Sequence, residues 1–122
     1  MYIKMTDLIT CLSTGKGTWN EVRNVIEKED WRKVFIITNE FGKQKYQPIK
    51  DTEFIVVDAR KSLRELMEIV SKALGDKVEG TEVGLNLTSG SGKEHMAILA
   101  AIIKAGLSFR LVAVESDKLM HI

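Results

Sequence analysis

The chain holds a single cysteine, Cys11, among its 122 residues. One thiol forms no internal disulfide, so a disulfide framework is excluded and a reducing, cytoplasmic compartment is expected. Neither charge sign is in excess: 18 basic residues face 17 acidic ones, for a net charge of +1. Composition therefore gives no argument for duplex nucleic acid or a membrane surface, which call for a basic excess. No stretch approaches ~20 uninterrupted apolar residues, so no transmembrane helix is expected. Lys4 and Asp7 interrupt the first apolar stretch, and no signal peptide is expected there. One cysteine and two distant histidines make no zinc cluster, so neither metal nor cofactor is implied. Internal repeats and low-complexity tracts are absent. What remains is the balance of an ordinary globular protein, 44% hydrophobic and 29% charged. It reads as one domain over residues 1–122, with a core large enough to fold alone.

Short apolar runs alternate with helical patterns along the chain. Leu8 to Leu12 reads as the first strand, followed by the small turn Ser13-Thr14-Gly15-Lys16-Gly17-Thr18. A helix is predicted from Thr18 to about Glu29, with Trp19, Val22, Val25 and Ile26 on one face. Cys11 lies inside the first strand, where it reads as a buried small hydrophobe rather than a nucleophile. Val34 to Thr38 is the second strand, β-branched and continuous. Asn39 to Lys50 reads as a short helix or an irregular connection. Phe54 to Val57 is the third strand, ending at Asp58. Ser62 to Leu74 is an amphipathic helix stopped by Gly75. Val83 to Leu87 is the fourth strand and Phe109 to Val114 the fifth. The polar tail from Glu115 to Ile122 has room for one more short strand at Leu119 to Ile122.

Strands separated by helices imply a parallel sheet with crossover connections. The runs are apolar on both faces, as they must be when helices cover both sides. The expected fold is a Rossmann-like α/β three-layer sandwich with five strands in the order 3-2-1-4-5. In that order strands one and four are neighbours, and the crevice at their carboxyl ends is the topological switch point where ligands bind. The two small, glycine- and hydroxyl-rich turns of the chain follow those two strands. Each carries a lysine, Lys16 or Lys93. This pairing points to a phosphate-containing ligand.

The second turn, Thr88-Ser89-Gly90-Ser91-Gly92-Lys93, opens the helix that runs to Gly106. Ser91 and Glu94 have the spacing of a capping box, which makes Ser91 the N-cap. Unpaired N–H donors and the helix dipole both favour an anion there. A Walker A loop is excluded, because Leu87 stands where its first glycine belongs and Glu94 where its Ser or Thr belongs. The dinucleotide fingerprint is incomplete as well: Asn20 stands where the third glycine would follow Gly15 and Gly17. In the helix itself, Met96 to Ala105, only Lys104 interrupts the apolar residues. A helix apolar all round is a buried helix. The sheet covers one side, and a two-fold partner is the expected cover for the other. Ile98 and Ile102 are expected among its buried contacts.

Asn86-Leu87-Thr88-Ser89-Gly90-Ser91-Gly92-Lys93, between a late strand and an alanine-rich helix, resembles the CARF domain, the CRISPR-associated Rossmann-fold sensor. That family's second motif is Asn/Asp-x-Ser/Thr, three residues, then Lys/Arg. Asn86, Thr88 and Lys93 match it, with one extra residue before the lysine. The resemblance implies a homodimer that binds a cyclic oligoadenylate, such as the two-fold symmetric tetra-adenylate ring, in CRISPR antiviral signalling. It places the first motif at Ser13, Thr14, Gly15 and Lys16. Thr88, Ser89 and the Gly90, Ser91 and Gly92 backbone would donate to phosphates, Asn86 would orient the turn, and Lys16 and Lys93 would balance charge. Some stand-alone members are ring nucleases that cleave the ring without metal, the ribose 2′-OH attacking the neighbouring phosphate. Ser13 and Lys93 would then be the catalytic positions, with His95 as an acid or base, or else simply directed to water. The Arg-His motif of linked ribonuclease effectors is absent, and no winged-helix segment follows. The expectation is a stand-alone sensor or ring nuclease, or a sensor part of a larger protein. An assembly subunit without a nucleotide ligand is the competing class.

Overall fold

The computed structural model describes residues 6–13 and 16–122. Its strands form where the apolar, β-branched runs lie: β1 (Asp7–Cys11), β2 (Val34–Thr38), β3 (Thr52–Val56), β4 (Glu82–Asn86), β5 (Ser108–Glu115) and β6 (Lys118–His121). The helices between them are α1 (Trp19–Glu27), α2 (Glu40–Lys45), α3 (Leu63–Leu74) and α4 (Gly92–Lys104). A single 3-10 turn, Lys16–Thr18, leads into α1. The strands make one sheet in the order β3-β2-β1-β4-β5-β6. The first five are parallel, and β6 returns antiparallel to β5. The fold is thus the expected Rossmann-like α/β arrangement with six strands in place of five. The extra strand turns on Ser116 and Asp117, both at positive φ (51° and 62°). Two left-handed residues in a two-residue connection suit the twist of a hairpin.

Strand ends differ from expectation where polar residues take part in the ladder. Thr52, Glu53 and Glu82 pair with neighbours although they lie outside the apolar runs. The ladder needs only backbone groups, so an apolar run marks burial rather than pairing.

Side chains alternate across the sheet, which separates two cores. Ile9, Cys11, Phe35, Ile37, Val83 and Leu85 face α3 and α4. Leu8, Val34 and Ile36 face the α1 side, with Val22, Val25, Ile26 and Trp31. Trp31 packs directly on Gly84 of β4. A Cβ there would stand 2.7 Å from the indole ring, which is why this strand position carries glycine.

The amino edge of the sheet is clamped by Asp7, which is fully buried. Its carboxylate accepts two bonds from the Arg32 guanidinium (2.6 and 2.8 Å) and one from the Glu79 N–H (3.0 Å). Paired donors of this kind are what make a buried carboxylate tolerable. Among the described residues, no helix is long and apolar enough to cross a membrane.

Candidate functional site

Because β1 pairs with β4, their carboxyl ends lie side by side, with Thr10 opposite Asn86. The turns beyond them are therefore neighbours at the switch point. They are also bonded together: the Ser13 N–H donates to Ser89 Oγ at 2.8 Å. Ser89 and Asn86 are both buried. The Asn86 amide organises the second turn. Its nitrogen donates to Thr88 Oγ1 and to the Val112 carbonyl, each at 2.9 Å. Its oxygen accepts from Thr10 Oγ1 at 3.3 Å. Thr88 is exposed, and since its oxygen accepts from Asn86, its hydroxyl proton can be given elsewhere.

Gly90 holds the tightest point. It sits at φ 101°, and a Cβ would lie 2.6 Å from Cys11 Sγ and 3.1 Å from His95 Nε2. Only glycine fits both the backbone angle and the space. The thiol below it is buried, and burial first, then the Glu94 charge, pushes its pKa far up. Cys11 therefore stays a protonated, inert filler. His95 does not point to water. Its Nε2 lies 2.7 Å from the Ser89 carbonyl. A carbonyl only accepts, so Nε2 carries the proton and braces the turn.

The capping box forms as the sequence predicts. Ser91 Oγ accepts from the Glu94 N–H (3.2 Å), and Glu94 Oε1 accepts from the Ser91 N–H (2.8 Å). The consequence for an anion is a loss. The box spends the Ser91 and Glu94 donors on the protein itself and puts a carboxylate beside the turn. The Gly92 and Lys93 N–H groups are the first-turn donors outside the box. The helix begins at Gly92, so Lys93 is a helical residue rather than a turn residue. Its ammonium donates to the Lys61 carbonyl at 2.6 Å. This ties α4 to the loop between β3 and α3.

Thr14 and Gly15 lie outside the described residues, as does the Lys16 side chain. Ser13 is described. It lines a cavity of about 340 Å³ at the carboxyl edge with Leu12, Asn39, Ala59, Gly90 and Glu94. Asn39 and Ala59 belong to the loops after β2 and β3, which sequence reasoning passed over. The clustered glycine and hydroxyl pattern of the other two turns is missing there: the segment between β2 and β3 has Gly42 alone, and that between β3 and α3 has no glycine. The strand order held the missing clue, since 3-2-1-4 places all four carboxyl ends along one edge. Among the described residues, no group of three His, Cys, Asp or Glu side chains is placed to hold a metal ion.

No protein-family model matches the chain, and no curated protein matches it either. Fold and edge geometry define its class, a Rossmann-like α/β domain with a cavity at the topological switch point.

Proposed function

We propose that this chain is a CARF-like domain that binds a cyclic oligoadenylate as a homodimer. The observation that carries the reading is the Ser13–Ser89 bond, which joins the two hydroxyl-rich turns at the β1–β4 crevice. A phosphate seated there would take the Gly92 and Lys93 N–H groups and the Thr88 hydroxyl, at the positive end of α4. Lys93 would leave the Lys61 carbonyl for the phosphate, exchanging a neutral acceptor for a charged one. A ring with two-fold symmetry would meet two such sites across a two-fold axis.

Cleavage of the ring at the same site has less support. The His95 Nε2 proton is engaged by Ser89 and the Lys93 ammonium by Lys61. With its Nε2 proton given to the Ser89 carbonyl, His95 keeps Nδ1 as its basic nitrogen. The primary experiment is calorimetric titration with cyclic tetra-adenylate at low and high salt. The expected result is binding that weakens with salt, and that falls by about 1.5–3 kcal/mol in Lys93→Ala. No heat and no thermal shift with cyclic oligoadenylates of any size would leave the assembly-subunit class standing.

A further inference from the structure

The switch-point cavity does not end at Ala59. A second chamber of about 610 Å³ shares Asn39 and Ala59 with it and continues toward β3. Together they form one trough along the carboxyl edge. The two chambers differ in chemistry. The first lies at the α4 amino end, where the helix dipole favours an anion and Glu94 is the charged residue of the lining. The second has aliphatic walls, Val56, Val57, Ala59 and Ile69. Its charged residues are balanced, Glu40 and Asp58 against Arg60 and Lys61. Such a chamber offers little to a second phosphate. It suits a flat, uncharged group with a polar edge, and its size falls in the roughly 300–1,000 Å³ range of small-molecule sites.

Asp58 is the oriented polar group. Its Oδ1 accepts from the Arg60 backbone N–H (2.9 Å) and Nε (3.0 Å), and its Oδ2 accepts from Arg60 Nη2 (2.9 Å). These bonds orient the carboxylate and leave acceptor capacity on Oδ2, since a carboxylate offers about two lone-pair sites per oxygen and Oδ1 already accepts twice. We propose that the second chamber is a nucleobase subsite, with the Asp58 carboxylate accepting the exocyclic amine of the base. The inference rests on the nucleotide reading above, under which that base is adenine. It adds a residue and a loop that the glycine turns do not include. Before a ligand binds, Lys93 connects the two halves, because its ammonium holds the Lys61 end of the same loop. The Arg60 hydrogen bonds hold the Asp58 carboxyl at about 2. Base selection should therefore not change between about pH 5 and about pH 8.

The test compares cyclic tetra-adenylate with its inosine counterpart, which has a carbonyl where adenine has the amine. Calorimetry on the wild type should show roughly ten- to hundredfold tighter binding of the adenine ring. Asp58→Asn offers an amide that can turn its NH2 to the inosine carbonyl, so the ratio should collapse toward one. Ile69→Glu, which charges an exposed wall of the chamber, should weaken both rings. Equal affinity of the wild type for the two rings overturns the subsite and leaves the phosphate reading intact. A ratio unchanged in Asp58→Asn removes Asp58 as the reader of the base. Failure of both rings to bind overturns the subsite and the nucleotide reading together.

Discussion

Single residues set the balance at the α4 turn between holding the helix and holding an anion. Glu94 serves the first against the second. It completes the capping box and lies at the edge of the switch-point cavity. Glu94→Gln keeps a side chain that can fill the same capping position. It removes the charge that complements the helix dipole, a loss of about 0.3–1 kcal/mol in stability. It also removes a unit charge beside the proposed phosphate, worth about 1 kcal/mol at ~4 Å in a water-like medium. The two effects have opposite signs. Thermal denaturation should show slight destabilisation, while cyclic oligoadenylate binding tightens about fivefold. Weaker binding would place the phosphate somewhere other than this turn. The roles of Ser91 and Glu94 were legible in the sequence because a capping box is a local pattern. The attachment of Lys93 was not, since its partner carbonyl is 32 residues away in the chain. Nor was the clamp on Asp7, whose arginine is 25 residues distant.

Among the described residues, β3 is an edge strand, and its outer ladder groups have no strand neighbour there. Charged side chains are one means of protecting such an edge. Glu53 serves β3 in this way and anchors it too, accepting from Lys77 at 2.6 Å and pairing with Lys33 of the adjoining segment at 3.5 Å. The Lys77 hydrogen bond foremost, with Lys33 adding to it, lowers the Glu53 pKa below its ordinary 4.5. A carboxyl whose folded pKa is depressed adds stability above its unfolded pKa. That stability is lost as pH falls through the folded value. Urea midpoints should therefore show the wild type more stable than Glu53→Gln at neutral pH, with the gap closing below about pH 4. A gap that stays constant through the acid range would mean that the charge of Glu53 does no stabilising work. The sequence shows β3 through Phe54 to Val57, but it does not show this anchoring. Glu53 lies just before the apolar run, and Lys77 sits in a loop read only as polar.

For the whole molecule, the alternation of strands and helices made the parallel sheet legible but did not fix its strand order. The 3-2-1-4-5 order was favoured because it sets the two glycine-rich turns side by side, and the structure has it. The sixth strand was less legible, because Ser116-Asp117 lacks the glycine that usually marks a two-residue hairpin. That strand bears on assembly. Val83 and Leu85 of β4 face α4, and Phe109 and Leu111 of β5 pair with them in register. The same face continues through Met120, opposite Ala113, and Ile122, whose N–H donates to the Leu111 carbonyl. Beside it, Met96 and Ile103 of α4 are 57% and 65% exposed, and Ile122 is 72% exposed. Exposed apolar residues this close together mark an interaction surface. A second copy is the occupant that the proposed two-fold ring site requires. Ile98 and Ile102, which the helix pattern singles out equally well, are fully buried in the chain's own core. A charge at either would damage the fold before it reported on assembly. Ile103→Glu is the informative change, since it places the charge on the outer face. Light scattering at micromolar concentration should give a dimer for the wild type and a monomer for Ile103→Glu, with circular dichroism unchanged between them. A wild type that is monomeric at that concentration would defeat the homodimer, and each chain would then have to hold its ligand within a single crevice.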